Sequence, residues 1–249
     1  MPSQVSVTTT SCGETMSSTS IKLYQGTPHT CSYLPEQTAA MHVVDPQFPL
    51  TASHYGMLLE SGFRRSGNMV YRPGCPSCSA CKPARIDTEA FQPNRSQRRC
   101  LKMNREIEIT VTPSLQQRHF RLYQEYLLSR HADGDMSADS ITEMQTFLLS
   151  EWSETLLLEG RQDQQLLFVA VTDVVDDGLS ALYTFFDPAL HQRSLGTYAI
   201  LQQIEQAKQL GLKWLYLGYW ISGCQKMSYK ANFSAVQVLS HNEGWKALK

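Results

Sequence analysis

Three cysteines at three-residue intervals, Cys75, Cys78 and Cys81, stand among Pro73, Gly74 and Pro76 within residues 71–99, and the rest of the chain is organised around this stretch. Turn-forming residues there bend the backbone tightly, and the spacing lets one loop present several thiolates to a soft metal centre. The same region is strongly basic. Residues 64–105 hold ten Lys/Arg against two Asp/Glu, in a chain whose formal net charge is −1. That asymmetry points to an anionic partner, with Arg64, Arg65, Arg72, Arg85, Arg95, Arg98 and Arg99 available to meet it.

With 249 residues, 42% of them hydrophobic, the chain can bury a core without covalent staples. No apolar run approaches the roughly 20 residues that span a bilayer, so no membrane partner is expected. The first 20 residues hold eleven Ser/Thr and no basic segment followed by an apolar one. They read as a flexible polar extension over 1–24 and not as a secretory signal, and cytoplasmic residence is the expectation. An odd number of cysteines, seven, in a reducing compartment favours metal binding or free thiols over a disulfide framework. Cys31 is the obvious remote fourth thiol, whereas Cys12, Cys100 and Cys224 lack partners at ligand spacing and read as small core or surface residues.

Taken in order, residues 35–43 read as a short helical stretch. Thr51 caps a helix that buries Tyr55, Leu58 and Leu59 and stops at Gly62. Ser66-Gly67-Asn68 makes a hairpin turn, and strands at 69–71 and 84–86 hold the cysteine loop between sheet edges. A helix from Asn94 places Arg95, Arg98, Arg99 and Lys102 on one face, and 106–112 alternates as a half-buried strand. A long amphipathic helix runs from Pro113 to about His131, with Phe120, Tyr123, Leu127 and Leu128 inward. Residues 133–163 carry eight Asp/Glu against Arg161 alone, a face that repels nucleic acid, and include a helix at 141–152. Strands at 155–158, 166–171 and 179–186, the last two joined by Asp176-Asp177-Gly178, precede a helix through 198–210 and a strand at 213–217.

A hairpin followed by turn, helix and strand is the order of acetyltransferase-like folds. The expected class is therefore α+β: a GNAT-type mixed sheet flanked by helices, with an N-terminal cysteine-containing subdomain. The expected units are a Cys/Arg-rich domain at 25–112 and an acetyltransferase-like domain at 113–249. Backbone N–H groups of Ser194-Leu195-Gly196-Thr197 can receive an anion, and an ordinary helix start with Ser194 as cap fits the same residues. A single glycine there is poor support for a coenzyme A pyrophosphate grip; an aminoacyl-adenosine end would need less.

His29-Thr30-Cys31-Ser32-Tyr33-Leu34, Gly62-Phe63-Arg64-Arg65-Ser66-Gly67, the 71–99 block, Gly178-Leu179-Ser180-Ala181, Phe185-Phe186-Asp187-Pro188, Leu217-Gly218-Tyr219-Trp220 and Lys226-Met227-Ser228-Tyr229-Lys230 occur in that order. Together they resemble the aminoacyl-tRNA–protein transferase family, and most closely its bacterial leucyltransferase branch. The resemblance covers nearly the whole chain beyond the polar extension. It implies transfer of leucine from leucyl-tRNA to the α-amine of proteins beginning with Asp or Glu, creating a destabilising N-terminus for N-degron proteolysis, with no cofactor required for transfer.

The resemblance also implies Cys31, Cys75, Cys78 and Cys81 as a thiol set for zinc, an iron–sulfur cluster or no permanent ion, with Leu34 where eukaryotic relatives close a first cysteine pair. Tyr219, Tyr229 and Lys230, with Ser194 and Gly196, are expected at the aminoacyl-adenosine end. Asp187, ending the 179–186 strand beside the donor turn, is the expected receiver of the amine's proton, or else simply makes a turn with Pro188. An acidic acceptor calls for a bidentate guanidinium, and the seven arginines are the pool without one standing out. The alternatives are arginine as the donor amino acid, a coenzyme A-dependent N-acetyltransferase, and a non-enzymatic metal-clip nucleic-acid-binding module.

Overall fold

The computed structural model describes residues 3–8, 18–130, 139–240 and 243–248. The first half comprises β1 (Ser3–Thr8), β2 (Ser18–Gln25), β3 (His29–Thr30), β4 (Thr38–Ala39), β5 (Met41–Val44), α1 (Ala52–Glu60), β6 (Arg64–Ser66), β7 (Met69–Pro73), β8 (Lys82–Asp87), α2 (Arg95–Met103) and β9 (Glu108–Thr112). The second comprises α3 (Gln117–Arg130), α4 (Ile141–Leu148), β10 (Glu154–Gln162), β11 (Gln165–Val175), β12 (Gly178–Phe186), α5 (Leu195–Gln209), β13 (Trp214–Trp220), β14 (Val236–Ser240) and β15 (Gly244–Ala247). Short 3₁₀ turns at Pro188–Arg193 and Ser228–Asn232 join the last elements.

Eight strands form one mixed sheet in the order β15-β14-β8-β13-β12-β11-β10-β9, and five form a smaller antiparallel sheet, β1-β2-β5-β7-β6. Alternation along β11 explains the layering. Phe168 and Ala170 join one core with α5, whereas Val169 and Val171 join another with α3 and α4. Side chains two apart share a face, so this strand is covered by helices on both sides. A third core brings Ile21, Leu23, Tyr55, Leu58 and Phe63 against Val175, Trp214 and Tyr216, fastening α1 and the small sheet to the large one. No helix among the described residues is long and apolar enough to cross a membrane.

Local signals set the helix starts: Thr51 Oγ1 accepts from the His54 amide, and Asn94 forms a reciprocal capping box with Gln97. Elsewhere tertiary pairing overrides the sequence reading. Residues 35–43 are not helical; Met41–Val44 lies between β2 and β7, and sheet pairing outweighs the helix preference of Ala39 and Ala40. The stretch expected to be a flexible extension contributes β1 and β2, and Ile21 and Leu23 of β2 are buried. Helix α3 starts at Gln117, and its Leu128 is 77% exposed and not inward. Helix α4 ends at Leu148. Strands β8 and β9, both within residues 25–112, belong to the large sheet, with β8 lying between β13 and β14. Cys12, His131 and residues 133–138 lie outside the described residues.

Candidate active site

The large sheet opens in its middle. Strands β12 and β13 are parallel neighbours, and their ladder spans only Gly178↔Trp214, Leu179↔Leu215 and Ser180↔Tyr216. Beyond it β12 continues to Phe186 beside β11, while β13 continues to Trp220 beside β8. A bulge between Tyr216 and Gly218, with Gly218 at φ +77°, turns β13 away. The two strands thus splay, and the side chain of Arg64 occupies the gap. Its Nη2 donates to the Ala181 carbonyl at 2.7 Å and its Nη1 to Ser180 Oγ at 3.1 Å. A Cβ at Gly218 would sit 3.4–3.6 Å from the guanidinium, in ordinary contact, so it is the positive φ and not the space that calls for glycine here.

Lys230 enters the same centre from the Ser228–Asn232 turn and donates to the Tyr219 carbonyl. Burial first, and then the positive charge of Arg64, hold its pKa down to about 7, against a smaller upward pull from Cys224. The Tyr219 hydroxyl donates to the Gly62 carbonyl at 3.0 Å. Its phenol, expected at the donor end, is therefore pinned inside the fold, and the residue faces the centre through its backbone. Tyr229, by contrast, is 40% exposed.

The seven arginines separate into distinct environments. Arg65 forms a two-point ion pair with Asp173, fully buried on both sides, and also donates to the Leu148 carbonyl. Arg85 pairs with Glu60, donates to Gln237 Oε1, and lies against the rings of Trp214 at 3.5 Å and Trp245 at 4.2 Å. Both were candidates for substrate contact, and both are satisfied within the fold, because each meets a carboxylate from a distant segment. Arg72 lies over Phe63 at 4.8 Å, half-buried, with the Ser61 carbonyl 3.5 Å from Nη1. Arg95, Arg98, Arg99 and Lys102 are exposed on α2, and Arg105, just beyond its end, is exposed too. Helix α2 packs against α5, so this basic face flanks the helix whose start was read as the donor turn.

At that turn Ser194 adopts φ +54° and makes no side-chain cap, which leaves the first N–H groups of α5 without one. The segment is clamped from α2: Asn104 Nδ2 donates to the Arg193 carbonyl at 2.9 Å, and the Cys100 thiol reaches the Ser194 carbonyl. Gly196 faces Phe186, whose ring would lie 3.2 Å from an added Cβ, and Tyr126 meets Phe186 edge-on at 4.9 Å. Asp187 is occupied as a turn-builder. Its Oδ1 accepts from the Ala189 amide at 2.9 Å and its Oδ2 from Gln165 Nε2 at 3.2 Å.

The expected thiols share one neighbourhood, but the fit to a metal is poor. Burial first, and then the charges of Cys75, Cys31, Cys78 and Cys224, push the Cys81 thiol up to about 11. Cys75 directs its thiol to the Ala40 carbonyl. Among the described residues no three His, Cys, Asp or Glu side chains are disposed to hold a metal ion. Cys224, far from the others in sequence, is the member that spacing alone missed.

Splayed strands holding buried cations, beside a helix start flanked by a basic helix, make an arrangement suited to negatively charged groups. Comparison with known proteins narrows the class. The chain belongs to the arginine-tRNA-protein transferase family: the model for the N terminus of that family matches residues 29–99 and the model for its C terminus residues 118–240. Among curated relatives, the aspartate/glutamate leucyltransferase of Teredinibacter turnerae is 49% identical over 227 residues, covering 90% of this chain and 93% of that one. The aspartate/glutamate leucyltransferase of Pseudomonas syringae pv. syringae is 48% identical over 229 residues, covering 92% and 97%. Among solved structures, the L-PGS from Bacillus licheniformis overlays with a TM-score of 0.45 at 9% identity, over 69% of this chain and 51% of that one.

Proposed function

We propose that this protein transfers leucine from leucyl-tRNA to the N-terminal α-amine of proteins beginning with Asp or Glu, in the cytoplasm, marking them for N-degron proteolysis. The observation that carries the reading is the near-full-length match, at 44–49% identity, to relatives named aspartate/glutamate leucyltransferase. The expected GNAT-type frame is part of the proposal, supported by the splayed parallel pair β12 and β13 with α5 between them in sequence.

The reaction converts an activated ester to an amide and needs no cofactor. The α-amine nitrogen attacks the leucyl carbonyl, the C–N bond forms, the bond to the ribose oxygen breaks, and that oxygen leaves with a proton released by the amine. An α-amine titrates near 7.7–8.0 and a lysine near 10.4, so N-termini are far more available as nucleophiles at neutral pH. The chain's contribution is chiefly placement. The exposed face of α2 suits the phosphates of the tRNA acceptor arm, and the uncapped start of α5 suits a negatively charged group near its end.

Two features favour leucine over arginine. Among the described residues the buried acids, Glu159 and Asp173, are already matched by arginines of the chain itself, Arg118 and Arg161 for the first and Arg65 for the second. Beside the donor turn the wall is aromatic, with Phe186 and Tyr126, which suits an apolar side chain.

The test is transfer of labelled leucine from charged tRNA to peptides beginning Asp, Glu, Ala or Lys. Label entering only the acidic peptides supports the reading. Equal labelling of all four, or of none, overturns it.

A further inference from the structure

We propose that Arg64 and Lys230 together form the seat for the side-chain carboxylate of the acceptor's first residue. The inference rests on the function proposed above and assigns its acceptor specificity to two residues.

The centre carries a charge imbalance. Arg64 is 8% exposed and Lys230 6% exposed. Among the described residues neither has an acidic partner; Arg64 meets Ser180 Oγ and the Ala181 carbonyl, and Lys230 meets the Tyr219 carbonyl. Burying one cation without a counter-ion is costly, and two that repel each other cost more. The chain does not treat its other buried arginines this way, since Arg65 has Asp173 and Arg85 has Glu60. The depressed pKa of Lys230 has the same origin. An anion entering the splay would relieve both groups at once.

The donors left over describe that anion. A guanidinium carries five N–H groups and an ammonium three, and the contacts just named use two and one. A carboxylate offers two oxygens with about four lone-pair positions, matching the free donors of both groups. A tRNA phosphate diester is bulkier and continues into chain on both sides, and exposed α2 is the better surface for it. A side-chain carboxylate is the smaller group and suits donors this deeply buried.

The experiment measures kcat/KM for leucine transfer to peptides beginning Asp, Asn, Glu and Gln, using the full chain, Lys230→Met and Lys230→Arg, with the melting temperature of each. The wild type should prefer Asp to Asn by about 30-fold or more. Lys230→Met should shrink that preference several-fold, mainly by slowing the Asp peptide, and Lys230→Arg should restore most of it. An equal loss on Asp and Asn peptides would assign the two cations to the reacting carbonyl and overturn the proposal, as would an unchanged ratio. Calorimetric binding of Asp and Asn peptides to the same proteins, and to Arg64→Lys, provides an independent readout. If the wild type transfers no leucine, the proposed function fails, while the seat still stands or falls on whether Lys230→Met abolishes the preference for the Asp peptide in binding.

Discussion

Arg65 and Asp173 meet in a two-point ion pair, Nε to Oδ2 at 2.7 Å and Nη2 to Oδ1 at 2.5 Å, that joins β6 of the small sheet to β11 of the large one. Its position next to Arg64 in sequence means that the pair also fixes the strand from which Arg64 enters the splay. Removing one partner of a fully buried pair leaves an uncompensated charge. Asp173→Ala should therefore lose about 3–5 kcal/mol of stability, measured by urea unfolding, and remaining folded protein should lose transfer activity as β6 loosens.

A second buried network sets the acid limit of the fold. Burial alone would push the Glu159 carboxyl up, but hydrogen bonds from Arg118, Arg161 and His119 outweigh it and hold the group at about 2, below its usual 4.5. Burial holds the His119 pKa below its ordinary 6.5 against the pull of Glu159. His119 accepts from the Gln116 amide at Nδ1 and meets Glu159 at Nε2, the pattern of a neutral ring that donates from Nε2. The unfolded chain binds more protons at both positions. The stability this network contributes is thus full above about pH 6.5, declines below it as the unfolded histidine charges, and falls further from about pH 4.5 toward 2 as the unfolded-state glutamate takes up its proton. Glu159→Gln should flatten the lower part of that curve in unfolding measured against pH.

Gly218 tests the splay directly. Its φ of +77° is strained for any side chain, and an added Cβ would stand in van der Waals contact with the Arg64 guanidinium. Gly218→Ala should cost about 1–2 kcal/mol and reduce transfer to acidic peptides more than the stability loss explains. Transfer rates with the melting temperature measured on the same samples separate the two effects.

How much of this was legible in sequence follows from the range of the forces involved. The start of helix α2 at Asn94, helix α1 with Thr51, and the run from β10 to β13 were readable, because caps, turns and alternation are local signals. The insertion of β8 between β13 and β14 was not, since strand partners far apart in sequence leave no local mark. The arginines show the same limit. Sequence grouped seven together, and only the fold brought Asp173 to Arg65 and Glu60 to Arg85 while leaving Arg64 without an acid. Cys224, read as a small core or surface residue, comes near Cys81 only through the fold.

The exposed face of α2 predicts a salt-dependent contact with tRNA. Arg95, Arg98 and Arg99 are exposed and have no acidic partner among the described residues. Arg99→Ala should weaken tRNA binding alike for charged and uncharged tRNA and lower the slope of log K against log salt by about one. Thermal stability should barely change, because the side chain is solvated.

The central claim is that leucine on tRNA is the donor. The most direct measurement gives the protein an Asp-initiated peptide with equal amounts of leucyl-tRNA and arginyl-tRNA and identifies the added residue by mass spectrometry. Leucine on the α-amine, with little or no arginine, is the result the account predicts. Arginine as the main product would contradict it, and would mean that a buried acid such as Glu159 or Asp173 exchanges its internal arginine for the donor's side chain.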